Sequence, residues 1–524
     1  MRKKILTVPF LLTFAAAALV GCGSSESLDG ASGGEAIAPQ EPGSTGISQG
    51  GAQDFGLFRQ ILEDGGIPGP STLDDLGFFA EHKLDYPEPA CGGDVCMHGL
   101  LGVMGNMISG SSCTLIQIGM NSPIDLATLE RPPLHVVLAV DTSGSMAGAP
   151  MEYLKAGLVE MIPALQPTDK VSLVTYSGSA SVRLDHVDAT EVEVLEQAFE
   201  GLFAAGSTNL YDGLFTAFSV AEARFDPGYQ NRVLFMSDGV ATAGIESPAR
   251  LRALAEGYAR MGVGITSIGV GREFDIDVMR DLSEVGAGNF YFLEDPAAVQ
   301  EVFADEVKTF LVPVALDAEL DVAVGGGYAI RGVYGTNGWS SAEGGGTISI
   351  PSLFLAGRQS AEEPIAEGRR GGGGAILLEL VPREDQGGVS EPYKVGSLSL
   401  QYRNPLTGAL VTQQAEITAP NTPEAPPEEG FFTDATVEKG FVMLNIYAAF
   451  KLATELAFDS DPRTARVTLE ALRPNVALWL ETTPDPDIAD DLRYVDMFIQ
   501  NLLAVEATVQ PYEPADPPNP WPAD

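Results

Sequence analysis

The pattern of apolar and polar positions divides the chain into blocks of different period. Leu134–Val140 is a short apolar run rich in β-branched residues, as expected of a strand buried on both faces. The period then becomes helical: Leu154, Leu158, Met161 and Ile162 fall on one face of a segment spanning 150–165. Further strands are expected over 171–176, 180–184, 232–236, 264–270 and 289–293, and further helices over 190–203, 210–224, 247–261, 276–284 and 296–311. Strand–helix alternation sustained over 133–312 predicts an α/β fold built on a doubly wound, mostly parallel sheet.

The flanking blocks differ. Residues 54–132 read as a lead-in helix, with Phe58, Ile61 and Leu62 at helical spacing and breaks at Gly65 and Pro68. Two apolar runs follow, 97–107 and 113–120, separated by the turn-forming 108–112, which predicts a hairpin packed with the following domains. Over 313–419 helical spacing stops. Alternation at 322–324, 328–334, 347–350, 375–381 and 396–402 predicts a β-sandwich. The glycines 371–374 after Arg369 and Arg370 lack the Lys-Ser/Thr of a phosphate loop and read as a flexible hairpin loop. Residues 420–433 form an acidic, proline-rich linker, and 434–508 are helical, with Phe441, Leu444, Tyr447, Ala448 and Leu452 on one face. Asp485–Asp491 lacks the glycine of a calcium loop and reads as an acidic turn before a helix. The last block, 509–524, is rich in proline and is expected to be disordered.

Charge changes the picture of possible partners. Asp and Glu number 72 against 30 Lys and Arg, a net charge of -42. Such a field repels nucleic acid and anionic lipid, which excludes both as main partners, and it attracts cations. At the N-terminus, Arg2, Lys3 and Lys4 precede an apolar run, 5–20, of the length of a signal-peptide core and short for a membrane span. It ends in Leu19-Val20-Gly21-Cys22, which resembles a bacterial lipobox. Residues 1–22 are therefore expected to be a lipoprotein signal peptide, Cys22 the lipidated residue, and the Gly/Ser/Pro-rich 23–53 a flexible linker. This places the protein outside the cytoplasm, lipid-anchored in the bacterial cell envelope, with the acyl chain as its membrane attachment. Gly23, in place of the Asp that marks inner-membrane retention, points to the outer membrane. Among the other cysteines, Cys91 and Cys96 can close a small ring, or Cys113 can take one of them, and the sequence leaves the pairing open. The four histidines, His82, His98, His135 and His186, have no metal-ligand spacing.

The strand ending at Val140 runs directly into Asp141-Thr142-Ser143-Gly144-Ser145. In an open α/β sheet, ligands bind at the carboxyl ends of strands near the switch point. Two more loops open on that edge: Gly206-Ser207-Thr208-Asn209 before a helix, and Ser237-Asp238-Gly239 after a strand. Together they supply Asp141, Ser143, Ser145, Thr208 and Asp238. An all-oxygen set suits a hard cation, Mg²⁺ first, then Mn²⁺ or Ca²⁺. With two carboxylates among five ligands, a bound cation keeps an electrophilic, open position that an Asp or Glu of a partner can fill.

These loops resemble the von Willebrand factor A (VWA) family with a complete metal-ion-dependent adhesion site (MIDAS), in which the Asp-x-Ser-x-Ser loop, a Thr and an Asp hold the metal. The wider chain is similar to bacterial lipoproteins carrying this Rossmann-like domain. The resemblance implies a binding protein that captures an acidic side chain of a protein partner, with affinity controlled by a shift of the last helix, 296–311. The alternative is a subunit of an envelope assembly or chaperone-like complex using the same site. Enzymatic motifs such as Gly-x-Ser-x-Gly, His-Glu-x-x-His or a phosphate loop are absent from the sequence, and no catalytic residue is expected.

Overall fold

The computed structural model describes residues 45–52, 55–124, 131–238, 240–270, 275–293, 302–303, 313–356, 369, 372–383, 393–420 and 430–508. The expected signal peptide, Cys22 and the expected C-terminal tail lie outside them. The described chain begins with two short strands, β1 (Thr45–Gln49) and β2 (Gly51–Ala52). The linker expected over 23–53 thus gives way to strand by Thr45. Only Ile47 of β1 is large and apolar, so the run carries no strand signal of its own. Partners remote in sequence make it a strand. Next come helices α1 (Gly56–Glu63) and α2 (Asp75–Ala80) and the hairpin β3 (Cys96–Gly105) and β4 (Ser112–Ser122).

The α/β block follows as β5 (Leu134–Asp141), α3 (Ala149–Met161), β6 (Lys170–Tyr176), β7 (Ala180–Asp188), α4 (Val192–Glu200), α5 (Leu210–Ala223), β8 (Gln230–Ser237), α6 (Pro248–Arg260), β9 (Val263–Val270), α7 (Ile276–Val285) and β10 (Asn289–Leu293). The seven-stranded sheet has the order β2-β10-β9-β8-β5-β6-β7. All its pairings are parallel except β6 with β7. Every residue of β5 is buried, as its unbroken apolar run requires. The chain leaves β5 for β6 on one side and returns to β8 on the other, so the switch point lies at the carboxyl end of β5. Entry to β5 is fixed by Asp169. Its carboxylate accepts from both terminal nitrogens of Arg131, from Leu134 N at 2.8 Å and from Gln166 N at 2.7 Å. The helix expected over 296–311 lies outside the described residues, save Val302 and Phe303. Phe303 is buried against Gly157 of α3, where a Cβ would come within 2.5 Å of its ring.

After the block come β11 (Pro313–Val324), β12 (Tyr328–Tyr334), β13 (Trp339–Ala342), β14 (Gly345–Leu355), β15 (Ile376–Pro382), β16 (Tyr393–Arg403), β17 (Leu410–Ala419) and β18 (Phe431–Phe432), then helices α8 (Ala435–Phe458), α9 (Pro462–Thr482) and α10 (Pro486–Thr508). The strands of the expected sandwich form one continuous eleven-stranded sheet, with a membership the linear division does not anticipate. β3 and β4 belong to it: β4 pairs with β15 on one side and β3 on the other. β1 joins the two halves, since Thr45 and Gly46 pair with Ser122 and Asn121 while Ile47–Gln49 pair with Leu355–Leu353. Ile47, Ile116, Ile118, Leu320, Ile350 and Leu398 share one core across the halves. The α/β domain is therefore an insertion between two strands of the sandwich, and the division into 54–132 and 313–419 separates parts that fold together. Gly373, expected in a flexible hairpin loop, forms a bridge with Lys83 of the lead-in.

α1 and α2 pack with α8–α10 around an aromatic core that includes Phe55, Phe58, Phe78, Phe79, Phe450 and Phe498. Each ring buried here contributes roughly 2–3 kcal/mol. α8 is long and apolar enough to cross a membrane by composition, but it is the centre of this core. The acidic turn over 485–491 enters α10 as expected, yet two of its carboxylates are buried. Asp487 accepts from Lys83 N at 3.1 Å and Lys439 Nζ at 3.0 Å, and Asp491 accepts from Arg369 at 2.7 Å and lies 2.8 Å from His82 Nε2. Paired in this way, the charges are tolerated in the interior. Of the pairings left open, Cys91–Cys96 is the one formed, with Cα atoms 5.5 Å apart, and Cys113 is buried.

Candidate metal centre

Asp141 is the last residue of β5, placed at the switch point by the buried run before it. Its carboxylate does not cap the next helix: α3 starts after Gly148, whose φ of 85° suits a residue without Cβ. Instead Oδ1 accepts from Ser143 N at 2.8 Å and Oδ2 from Ser237 Oγ at 2.7 Å. Ser143 and Ser145 hydroxyls share a hydrogen bond of 3.0 Å, and Ser145 Oγ donates to Asp238 Oδ1 at 2.9 Å. Four of the five expected ligands thus form one connected group. Asp141, Ser143, Thr208 and Asp238 are buried, while Ser145 is exposed.

Thr208 belongs to the second loop, and backbone bonds tie that loop to the other two. Gly144 N donates to Gly206 O at 2.9 Å and Ala205 N to Thr142 O at 2.7 Å. Thr242 N donates to Thr208 O at 2.9 Å, and Thr208 N to Thr242 Oγ1 at 2.9 Å. Asn209 ends the loop as the N-cap of α5, accepting from Asp212 N. The structure thus brings all three loops to one edge, although no hydrogen bond joins the Thr208 hydroxyl to the other four side chains.

Burial pushes the Asp141 carboxyl above its ordinary value, and the hydrogen bonds from Ser237 and Ser143 work the other way. A buried carboxylate of this kind calls for a positive counterpart. The donor set fits one: two carboxylates and three hydroxyls, all hard oxygens, on loops whose backbones are mutually fixed. Among the described residues no group of three or more His, Cys, Asp and Glu gathers as a metal cluster.

Three contributors were not among the sequence-derived candidates. Ser237 holds Asp141, and its place beside Asp238 was the available signal. Tyr176, stacked on Phe235 at 5.2 Å, donates from its hydroxyl to Met236 O at 2.9 Å and steadies the strand end behind the site. Thr242 anchors Thr208, and no spacing rule marks it. The histidines are less scattered than the sequence suggests. His135 and His186 meet edge to face at 4.8 Å, with His135 Nε2 3.1 Å from Ser172 Oγ, well inside the domain.

Residues 135–305 match the family model for the von Willebrand factor type A domain, and this part of the chain is a domain of that type. The uncharacterized protein YfbK of Escherichia coli (strain K12) is 28% identical over 38% of this chain and 35% of its own. The inter-alpha-trypsin inhibitor heavy chain H2 of Sus scrofa is 27% identical over 35% of this chain and 21% of its own. The match therefore spans about a third of the first relative's length and about a fifth of the second's. The solved structure of a von Willebrand factor type A protein from Catenulispora acidiphila covers 76% of this chain and 88% of its own, with a TM-score of 0.50 at 15% identity, which is a likeness of fold.

Proposed function

We propose that this chain is a cell-envelope lipoprotein whose VWA domain holds a divalent cation and binds a protein partner through it. The observation that carries the reading is the connected group Ser143–Ser145–Asp238 beside the buried Asp141. Asp141, Ser143, Ser145, Thr208 and Asp238 would hold the ion, Mg²⁺ first and Mn²⁺ or Ca²⁺ next. A bound cation would supply a point of positive charge in a strongly acidic molecule, and an Asp or Glu of the partner would complete its coordination. The residues of the chain do the rest: Ser237 orients Asp141, and the backbone bonds between loops keep the ligands in place. The ligand stretches 141–145, 206–209 and 237–239 contain no His or Glu to serve as a base, which favours binding over catalysis. Similarity to a protein named as a heavy chain of an inhibitor fits a binding role.

Calorimetric titration with Mg²⁺ and Mn²⁺ tests the site. Wild-type protein should bind one equivalent per chain, and Asp141→Ala and Asp238→Ala should each weaken binding at least a hundredfold. Pull-down from native envelopes should recover a partner with Mg²⁺ and lose it in chelator. Equal recovery in chelator would overturn the reading, and fatty-acid labelling that survives Cys22→Ser would remove the anchor from it.

A further inference from the structure

The three loops that carry the metal ligands also carry two apolar side chains held out in solvent. Phe203 is 80% exposed, the highest value for any large apolar side chain among the described residues, and Val240 is 51% exposed. Phe203 stands two residues before Ala205, whose N–H donates to Thr142 O in the first loop. Val240 stands two residues after Asp238 and two before Thr242, whose N–H donates to Thr208 O. Phe203 and Val240 thus each stand two residues from a backbone bond between the ligand loops. A phenyl ring left in water forgoes about 25 cal/mol per Å² of apolar area that a partner could cover. The loops over 141–149, 201–209 and 237–247 contain no Lys or Arg, so the rim offers no ion pair to an acidic partner. The whole chain, at -42, repels one.

We propose that Phe203 and Val240 form an apolar rim that reads the residues flanking the partner's metal-binding carboxylate. The partner is then a segment with a single Asp or Glu set beside aromatic or large aliphatic side chains. An acidic cluster does not fit, because these three loops supply no Lys or Arg to hold a second carboxylate. Phe203 and the metal act together: the cation fixes the carboxylate, and the ring covers the neighbouring side chain and excludes water around it. The inference rests on the metal-dependent binding proposed above.

The test uses the full chain and a synthetic library of blocked heptapeptides with a central Glu and randomised neighbours, screened with Mg²⁺ and with chelator. Mg²⁺-dependent binders should carry Phe, Tyr, Trp, Leu or Ile within two positions of the Glu. Phe203→Ala should weaken those binders at least tenfold more than it weakens a peptide with the same Glu between serines, and Val240→Ser should act in the same direction. Metal-dependent binders without apolar bias, a Phe203→Ala effect equal on both peptide classes, or a library that yields no Mg²⁺-dependent binder would each overturn the rim. Binders kept by Asp141→Ala would instead sink the metal reading on which it stands.

Discussion

Ser237 donates to Asp141 Oδ2 at 2.7 Å and makes no claim as a ligand itself. It sets the direction in which the carboxylate presents its other oxygen. Groups behind a metal ligand are commonly worth ten- to a hundredfold in affinity. Ser237→Ala should therefore leave the thermal unfolding midpoint nearly unchanged and weaken Mg²⁺ binding roughly tenfold, as calorimetry would register. His135 allows a different measurement. Burial, with the neighbouring His186 adding to it, pulls its pKa from 6.5 down to about 4. The unfolded chain then binds a proton that the folded chain refuses between those values. This contribution to stability is complete above pH 6.5 and is lost as pH falls toward 4, by roughly 3 kcal/mol in all. His135→Asn should flatten the pH dependence of the denaturant midpoint in that window relative to wild type. Parallel slopes would show that the group is not the source. Ser237 and His135 differ in how far the sequence exposed them. The loop containing Ser237 was legible because a strand ends there, whereas the meeting of His135 with His186 depends on the pairing of β6 with β7 and has no local pattern.

β1 and β2 give the N-terminal segment a place in both domains. β1 bridges the halves of the sandwich, and β2 adds an edge strand to the α/β sheet, with Asn289 and Phe290 paired to Gly51 and Ala52. A chain starting at residue 55 should lose both. It should unfold at lower denaturant than the full chain, and the unfolding should be followed by hydrogen exchange that rises in β4, β14 and β10 together. Exchange confined to β4 and β14 would show that β2 is dispensable to the sheet. β5, β6, β8, β9 and β10 were readable to within a residue or two because each is a largely buried apolar run, whereas β7, mostly exposed or half-buried, runs four residues past its expected end. β1, β13 and β17 were not readable. β17 alternates exposed and half-buried positions and has few large apolar residues, so the solvated face of an outer strand leaves little to detect.

The inserted domain and the buried charges belong to the molecule as a whole. The α/β block is carried between β4 and β11 of one sandwich, so its two ends are held by strands of a second core. The helical core closes over the lead-in through Asp487 with Lys439, and Asp491 with Arg369, contacts separated by tens to more than a hundred residues in sequence. No window of sequence holds both partners of such a pair, and a run of aspartates reads as a solvated turn until its partners arrive. By itself the sequence determined the α/β period, the strand ends and the oxygen-bearing loops at one edge, since these follow from local spacing and from where buried runs stop. Only the tertiary structure decided that the lead-in hairpin shares a sheet with strands some 250 residues later, that Ser237 stands behind Asp141, and that Phe203 is left in solvent two residues from the bond that ties the second loop to the first. Burial, exposure and pairing are properties of the packed chain, and local pattern bounds them without assigning them.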